Sequence, residues 1–299
     1  MTRQNAIASL FVLSVMFNAT GEELKSGEYL ITQTWSQESN YRHPYYVNVP
    51  ENTGTKPLPV FIFLHGNGGN AQGSMRRFLR PNGSIRKKFI IVFPQGYQRS
   101  WNIVSERSKA DDLAYIEAII KTLSSCTNVQ KDRFGIMGSS NGAAMVNQIA
   151  IETELTCIKN YICIVSPLNT YQHDEKNFKL KGKDNNYTEI ATPLTGKRLM
   201  NVSGTKDALV PYLGGPSKSI PAKDGKLSFL AAEESTFLWA KHMGYKGKQL
   251  TEPTAVDSHI EMFSYLNGDV IHYKVIKAGH NAGSAIKEDI ILKFLEGGR

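Results

Sequence analysis

The chain has 299 residues, of which 41% are hydrophobic and 21% are charged. These proportions are typical of a globular protein and exclude a disordered chain, and 12 prolines and 25 glycines are too few for a collagen-like or proline-rich fibre. The formal net charge is +8, with lysine and arginine scattered and in no run of five or more. We therefore expect a solvated basic surface and no nucleic-acid partner.

The first twenty residues predict an export signal. Arg3 gives a positively charged start, residues 6–17 are apolar apart from two serines, and Ala19-Thr20-Gly21 offers small residues for cleavage. The apolar run is shorter than the ~20 residues that span a bilayer. We predict a signal peptide over residues 1–21 and a secreted or periplasmic protein without a membrane span. A buried N-terminal helix or strand is the alternative.

Short apolar runs that end at glycine or proline recur along the rest of the chain. Such runs are typical of strands buried on both faces of a parallel sheet. An Asn-Gly pair between the last two segments predicts a hairpin. The segments that fit a strand are residues 29–35, 45–49, 58–64, 89–93, 133–137, 161–165, 199–202, 260–265 and 270–276.

Helical patterns alternate with these strands. The first begins at Asp111-Asp112, where we expect helix capping rather than a catalytic pair of carboxylates, and the others cover residues 142–154, 229–243 and 285–295. The alternation predicts an α/β fold with a mostly parallel central sheet and helices on both faces. Residues 168–196 and 211–226 lack a period and are either walls of a ligand pocket or surface insertions.

The three cysteines are Cys126, Cys157 and Cys163. No Cys-x-x-Cys pair and no histidine at metal-ligand spacing accompany them, so we expect no zinc site. One disulfide with one free thiol and three free cysteines are both compatible with this pattern.

The most informative motif is Gly138-Ser139-Ser140-Asn141-Gly142, a Gly-x-Ser-x-Gly sequence between an apolar strand and an amphipathic helix. In this setting the motif is typical of the nucleophile elbow of α/β-hydrolases. Side chains two residues before or after the nucleophile would collide with neighbouring backbone, and only Ser140 has glycine at both positions. Ser140 is therefore the predicted nucleophile.

A serine nucleophile needs a histidine base, and in this fold the order along the chain is serine, acid, histidine. His272 lies within a predicted strand, whereas His280 follows the last strand between flexible glycines and is the predicted base. His259 is the alternative, and a surface-loop role is the non-catalytic interpretation of His280. Chain order, or too few intervening elements, excludes His43, His65, His173 and His242.

The acid should follow a strand between the serine and the histidine. Asp207 follows the strand at residues 199–202 and a Ser-Gly turn, and an ionised carboxylate there would orient the imidazole. Asp224 and Asp257 follow no buried strand. Asp207 is the predicted acid, with a turn-forming aspartate as the alternative.

The developing oxyanion needs two backbone N–H donors. We predict the amide of Asn141, directly after the nucleophile, and the amide of Asn67 in the glycine-rich loop at residues 65–70, with Gly66 as the second choice. Trp101, which follows a strand, is a candidate for lining the acyl or alcohol pocket, although core packing explains it equally well.

Six motifs follow one another along the chain: Leu64–Gly69, Phe93-Pro94-Gln95-Gly96 with Trp101-Asn102, Ala110–Asp112, Gly138–Gly142, Gly204–Asp207 with Val210–Tyr212, and Gly279-His280. Taken in order, they resemble the polyhydroxybutyrate depolymerase/feruloyl esterase group of α/β-hydrolases. The resemblance spans about residues 58–283 and implies a carboxylic ester hydrolase with Ser140, Asp207 and His280 as its triad, commonly secreted. Ala143-Ala144 stands where that group often has a further glycine, which weighs against a polymeric substrate.

We therefore expect a serine carboxylesterase for small or oligomeric esters, with short acyl chains, no metal and no organic cofactor, in one catalytic domain over residues 22–299. A feruloyl esterase or hydroxyalkanoate depolymerase is the alternative. A serine peptidase of the prolyl-oligopeptidase type is less favoured because it usually carries a large extra domain. A non-catalytic binding protein would not need a complete triad.

Overall fold

The computed structural model describes residues 21–51 and 56–297. The predicted signal peptide therefore lies outside the described residues, except for Gly21. None of the helices in the described residues has the length and apolar composition of a membrane span. Cys126, Cys157 and Cys163 are all free thiols.

The elements alternate between strand and helix along most of the chain. The strands are β1 (Gly27–Trp35), β2 (Glu38–Asn48), β3 (Leu58–Leu64), β4 (Ile90–Pro94), β5 (Val129–Ser139), β6 (Ile158–Ile164), β7 (Phe178–Lys179), β8 (Ile190–Ala191), β9 (Arg198–Gly204), β10 (Gly215–Ala222), β11 (Gly225–Phe229), β12 (Thr254–Ala255), β13 (Ile260–Tyr265) and β14 (Val270–Val275). The helices are α1 (Ala71–Leu79), α2 (Gly83–Lys88), α3 (Asp112–Leu123), α4 (Asn141–Glu152), α5 (Ala232–His242) and α6 (Glu288–Glu296).

Ten of these strands form one sheet in the order β1-β2-β4-β3-β5-β6-β9-β14-β13-β12. The six strands from β4 to β14 run parallel, and antiparallel strands close both edges. The predicted mostly parallel sheet is confirmed. The carboxyl ends of its parallel strands all lie at the same end of the sheet, where folds of this kind bind ligands.

Helices cover both faces of the sheet, because each central strand is apolar on both sides. Helices α3, α4 and α5 pack on one face around Tyr115, Ile149 and Trp239. Helices α1, α2 and α6 pack on the other face, where Phe78 and Phe294 are buried. The two hydrophobic clusters pack the sheet on both faces, so the loops that follow the carboxyl ends of its parallel strands start from fixed positions.

Two predicted helix starts are three residues too early, and two helices of the structure, α1 and α2, were not predicted. The predicted helix at residues 229–243 begins later, at Ala232, because Phe229 instead ends β11 and pairs with Gly215. The predicted helix at 285–295 begins at Glu288, after a short 3-10 turn at Ala282–Ala285. Helix α1 begins where the Asn70 side chain accepts a hydrogen bond from the backbone N–H of Gly73.

Candidate active site

Ser140 sits in a strained turn between β5 and α4. Its φ and ψ are 55° and −121°, a conformation that L-residues rarely adopt. A Cβ added at Gly138 would lie 2.2 Å from the carbonyl oxygen of Gly142, and one added at Gly142 would lie 2.4 Å from the carbonyl oxygen of Leu64. Both positions therefore require glycine, for the steric reason that the sequence motif predicts.

The structure brings the three predicted triad residues together, although 140 positions separate Ser140 from His280. The Ser140 hydroxyl lies 2.7 Å from His280 Nε2, and His280 Nδ1 lies 2.7 Å from Asp207 Oδ2. This pattern assigns the ring proton to Nδ1 and leaves Nε2 free to accept from the serine. A Cβ added at Gly204 would lie 2.4 Å from the carbonyl oxygen of Ala278, so glycine at the end of β9 lets the histidine loop approach.

The environment of Asp207 favours the carboxylate. Its side chain is only 2% exposed, and its Oδ1 accepts from the backbone N–H groups of Leu209 (2.9 Å) and Val210 (3.0 Å). Burial alone raises the pKa of Asp207, but the hydrogen bonds from His280 and the two amides outweigh it and lower the pKa below its ordinary value. A charged group is therefore held against the imidazole.

The alternative base and acids lie elsewhere. His259 Nδ1 is hydrogen-bonded to the hydroxyl of its neighbour Ser258 at 2.7 Å, and Asp257 accepts from the His259 backbone amide. Asp224 lies in the exposed turn between β10 and β11. His272 is buried within β14, where burial lowers its pKa to about 3. None of these residues has a hydrogen bond to the Ser140 side chain.

The glycine-rich loop after β3 lies against the elbow. A Cβ added at Gly66 would lie 3.5 Å from Ser140 Cβ. His65 fixes the loop through both ring nitrogens. Its Nε2 accepts from the Gly96 backbone N–H at 3.0 Å, which places the ring proton on Nδ1, and the Nδ1–H group donates to the Gly66 carbonyl at 2.8 Å. Burial lowers the pKa of His65, which keeps the ring neutral and this pattern intact.

The orientation of the Gly66–Asn67 peptide suits an oxyanion donor. The Gly66 carbonyl accepts from His65 and from the Gly69 backbone N–H at 2.9 Å, so it points into the loop. The peptide is trans, like every other described peptide, so the Asn67 N–H points out of the loop. Asn141 is the first residue of α4, where a backbone N–H has no acceptor within the helix.

Arg99 holds the same loop from outside, a role that the sequence reasoning missed. Gln98 and Arg99 both have left-handed φ values, 50° and 63°, which turn the Arg99 guanidinium back onto the carbonyl oxygens of Gly68 and Gly69. The Gly68 N–H in turn donates to the Arg99 carbonyl at 2.8 Å. Nothing in local sequence indicates a positive φ at a non-glycine residue.

Trp101 does not line a pocket. Its side chain has no exposed surface, and its indole N–H donates to the His65 carbonyl at 2.7 Å. The expectation that Trp101 contacts substrate is therefore wrong, because a side chain with no exposed surface has no surface to offer. It supports the glycine-rich loop through that hydrogen bond and by packing.

Asp111 and Asp112 have different roles, and neither belongs to a catalytic pair. Asp111 caps α3 as predicted, with its side chain accepting from the Ala114 N–H at 3.1 Å. Asp112 is fully buried, and its Oδ2 accepts from the Asn102 N–H at 2.6 Å. Burial raises the pKa of Asp112 to about 7, against the opposing effects of Lys181 and of that hydrogen bond.

An open cleft of about 660 Å³ lies beside the elbow, between α1 and the segment that leads into α6. Ser139, Gly66 and Asn67 line it next to the elbow. Its walls are mostly apolar and also carry cationic side chains; they include Phe63, Phe78, Met137, Ile286, Arg77 and Lys287. Among the described residues, no cluster of three or more His, Cys, Asp or Glu side chains could hold a metal ion.

No protein-family model matches the chain. Over 224 residues it is 25% identical to feruloyl esterase B from Piromyces equi, in an alignment that covers 73% of this chain and 38% of that protein. The chain thus matches well under half the length of this curated relative. The similarity to a feruloyl esterase therefore extends over 224 aligned residues and is not limited to the short motifs.

Solved structures with the same architecture include an acetyl xylan esterase from Aspergillus awamori, at a TM-score of 0.58 and 15% identity, covering 85% of this chain and 93% of that one. Esterase 2 from Thermogutta terrifontis has a TM-score of 0.51 at 12% identity, with 94% of each chain covered. Est1E from Butyrivibrio proteoclasticus has a TM-score of 0.50 at 15% identity, covering 86% of this chain and 96% of that one. At such identities the likeness shows the fold, which is that of the α/β-hydrolases, as predicted.

Proposed function

We propose that this α/β-hydrolase is a serine carboxylesterase that cleaves carboxylic esters through an acyl-enzyme. The observation that carries the proposal is the continuous hydrogen-bonded series Asp207–His280–Ser140, with both links at 2.7 Å. A nucleophile, a base and a group that orients the base are the parts that acyl transfer requires.

In the acylation step, Ser140 Oγ attacks the ester carbonyl carbon while its proton moves to His280 Nε2. The carboxylate of Asp207 stabilises the imidazolium that forms. The carbonyl oxygen becomes an oxyanion, and the N–H groups of Asn141 and Asn67 stabilise it. As the tetrahedral intermediate collapses, the C–O bond to the alcohol breaks and His280 returns the proton to the departing oxygen.

Deacylation repeats these events with water. His280 removes a proton from a water molecule, whose oxygen attacks the acyl carbon, and the resulting intermediate expels Ser140 Oγ as His280 protonates it. The products are a carboxylic acid and a regenerated enzyme. The residues described supply every proton transfer, so the proposal requires no cofactor.

Short acyl groups on small or oligomeric alcohols are the proposed substrates. A feruloyl ester is the second candidate, because the cleft beside the elbow has phenylalanine side chains in its wall and the chain aligns with a feruloyl esterase. Export directed by residues 1–21 and a single catalytic domain at residues 22–299 are also part of the proposal.

The nucleophile is tested with a serine-directed phosphonate followed by intact-mass measurement. We expect one adduct on the wild type and none on Ser140→Ala. Absence of an adduct on the wild type, or equal labelling of the variant, would contradict the assignment.

The substrate class is tested by comparing turnover of p-nitrophenyl esters of increasing acyl length, a feruloyl ester, a hydroxybutyrate oligomer and a peptide. We expect C4 esters to be cleaved faster than C12 esters, and the peptide to be left intact. Faster cleavage of C12 esters would contradict the short-acyl proposal, and preferential cleavage of the peptide would favour a peptidase.

A further inference from the structure

The loop behind the elbow, residues 101–106, carries buried irregular backbone. Trp101, Asn102, Ile103 and Val104 are all buried, and buried N–H and C=O groups outside regular structure need other partners. Side chains from distant parts of the chain supply them. Asp112 accepts from the Asn102 N–H, and the carbonyls of residues 102, 103 and 104 accept from Lys181 Nζ (3.2 Å), Tyr187 OH (2.8 Å) and Asn185 Nδ2 (3.1 Å).

Glu106 connects this loop to the elbow. Its Oε2 accepts from the backbone N–H groups of Ile103 (2.9 Å) and Val104 (2.6 Å). Its Oε1 accepts from Asn141 Nδ2 at 3.2 Å. In every one of these bonds an oxygen of the Glu106 side chain is the acceptor.

The Asn141 side chain is bound at both ends. Its Oδ1 accepts from the Trp101 N–H at 2.7 Å, and its Nδ2 donates to the Trp101 carbonyl at 3.0 Å as well as to Glu106. These bonds fix the Asn141 side chain against the Trp101 backbone and Glu106, and so restrain the Asn141 Cα to which it is attached. The backbone N–H on the same Cα is the donor that the proposed mechanism assigns to the oxyanion.

We propose that Glu106 is a positioning residue: through the Asn141 side chain it holds the Asn141 backbone N–H in the direction of the oxyanion. This inference rests on the proposed esterase function. Oxyanion stabilisation depends on donors whose direction is set before the reaction begins. Glu106 touches no reacting atom, and it acts on the rate only by restricting Asn141.

The test is Glu106→Gln, which preserves the shape of the side chain but replaces one acceptor oxygen with a donor. In one orientation, the amide oxygen of the new glutamine accepts from the Ile103 and Val104 N–H groups, but its NH₂ group then faces the Asn141 NH₂ group, and two donors oppose each other. In the other orientation, the amide oxygen accepts from Asn141, and the bonds to the two backbone N–H groups are lost. We expect kcat on p-nitrophenyl acetate, expressed per phosphonate-titrated site, to fall about tenfold with KM within about twofold.

Glu117→Gln is the matched control. Glu117 is also partly buried and accepts a side-chain hydrogen bond, from Thr153 Oγ1 at 2.7 Å, but it has no bond to the elbow or its loops. We expect its kcat to equal that of the wild type. Normalisation to titrated sites removes any unfolded protein from the comparison, so a loss of kcat in Glu106→Gln reports on the assembled site.

A double-mutant cycle with Asn141→Ala tests the route of the effect. Without the Asn141 side chain, Glu106→Gln has nothing to misplace, and its amide oxygen can still serve Ile103 and Val104. We expect Glu106→Gln to lower kcat about tenfold in the wild type and less than twofold in the Asn141→Ala background.

Wild-type kcat in Glu106→Gln, or an equal loss in both backgrounds, would overturn the positioning role. These results differ from failure of the proposed function. If the esterase proposal fails, the wild type either takes up no phosphonate at Ser140 or cleaves the peptide in preference to every ester. If only the positioning role fails, the wild type does both and the cycle shows no coupling.

Discussion

Two buried carboxylates support the candidate site, Asp207 through His280 and Asp112 through the loop at residues 101–106, and their pKa values shift in opposite directions. Asp207 receives three hydrogen bonds, from His280 and two backbone amides, and its pKa is lowered. Asp112 receives one on Oδ2, its Oδ1 has no partner among the described residues, and its pKa rises to about 7. Burial disfavours charge at both sites. At Asp207 the three donors outweigh it, whereas at the fully buried Asp112 one donor and the nearby Lys181 do not, and Asp111 and Glu106 add repulsion.

The proposed mechanism needs a permanent negative charge at Asp207, beside the imidazolium that forms. Asp112 instead supports the loop at residues 101–106 through the Asn102 N–H, a role that needs no permanent charge. The comparison can be tested by removing each charge without changing side-chain shape.

The largest expected effect is that of Asp207→Asn. The amide cannot hold the His280 tautomer or stabilise the imidazolium, and the analogous change in other serine triads lowers kcat about 10⁴-fold. Steady-state hydrolysis of p-nitrophenyl acetate at pH 7 measures this loss. Asp224→Asn, in the exposed turn after β10, is the control and should leave kcat unchanged. A loss of less than about tenfold in Asp207→Asn would place the essential acid elsewhere.

Asp112→Asn is expected to change stability in a pH-dependent way. Because the folded-state pKa of Asp112 is raised from 3.8 to about 7, the folded protein binds this proton more tightly than the unfolded chain. Its contribution is therefore full below about pH 4 and is lost as the pH rises to about 7, a change of up to roughly 4 kcal/mol.

Asp112→Asn removes that dependence. Relative to the wild type, the variant should gain stability steadily between pH 4 and pH 7 in urea unfolding followed by circular dichroism. A stability difference that is constant over this interval would mean that Asp112 stays ionised in the folded protein, and the contrast with Asp207 would disappear.

How far the sequence predicts this site depends on the range of the contacts involved. The elbow glycines were predictable because the collision that requires them is steric and arises within a strand–turn–helix motif. The contacts that join Asp207, His280 and Ser140 were predictable because chain order and strand ends restrict the candidates. Glu106 and Asp112 were not assigned their roles, since each acts through contacts that only the folded loop at residues 101–106 creates.

The same reasoning explains the errors. The position of Trp101 after a strand was predictable, but its depth of burial depends on segments far along the chain, and the pocket-lining interpretation was therefore wrong. Helix α1 is short and contains Gly73, a poor helix former, and packing on the sheet and the Asn70 cap stabilise it.

A smaller effect is expected from Arg99→Ala on the oxyanion side. The variant loses the guanidinium bonds to the carbonyls of Gly68 and Gly69, so the Asn67 N–H is less well fixed, and kcat should fall about fivefold to tenfold with KM nearly unchanged. Arg99→Lys, which keeps the charge without the planar fork, should lie between the two. Equal rates for all three proteins would show that the loop needs no clamp.

The smallest effect is expected at an exposed carboxylate, which provides the baseline for both buried ones. Glu296 lies 2.6 Å from Lys88 Nζ, but its side chain is 43% exposed and that of Lys88 is 51% exposed. Water screens such a pair, so Glu296→Gln should change the free energy of unfolding by less than about 1 kcal/mol and leave kcat unaltered. Urea unfolding at pH 7 measures the difference. A change as large as that expected at Asp112 would mean that proximity to a cation, rather than burial and the number of donors, governs these carboxylates.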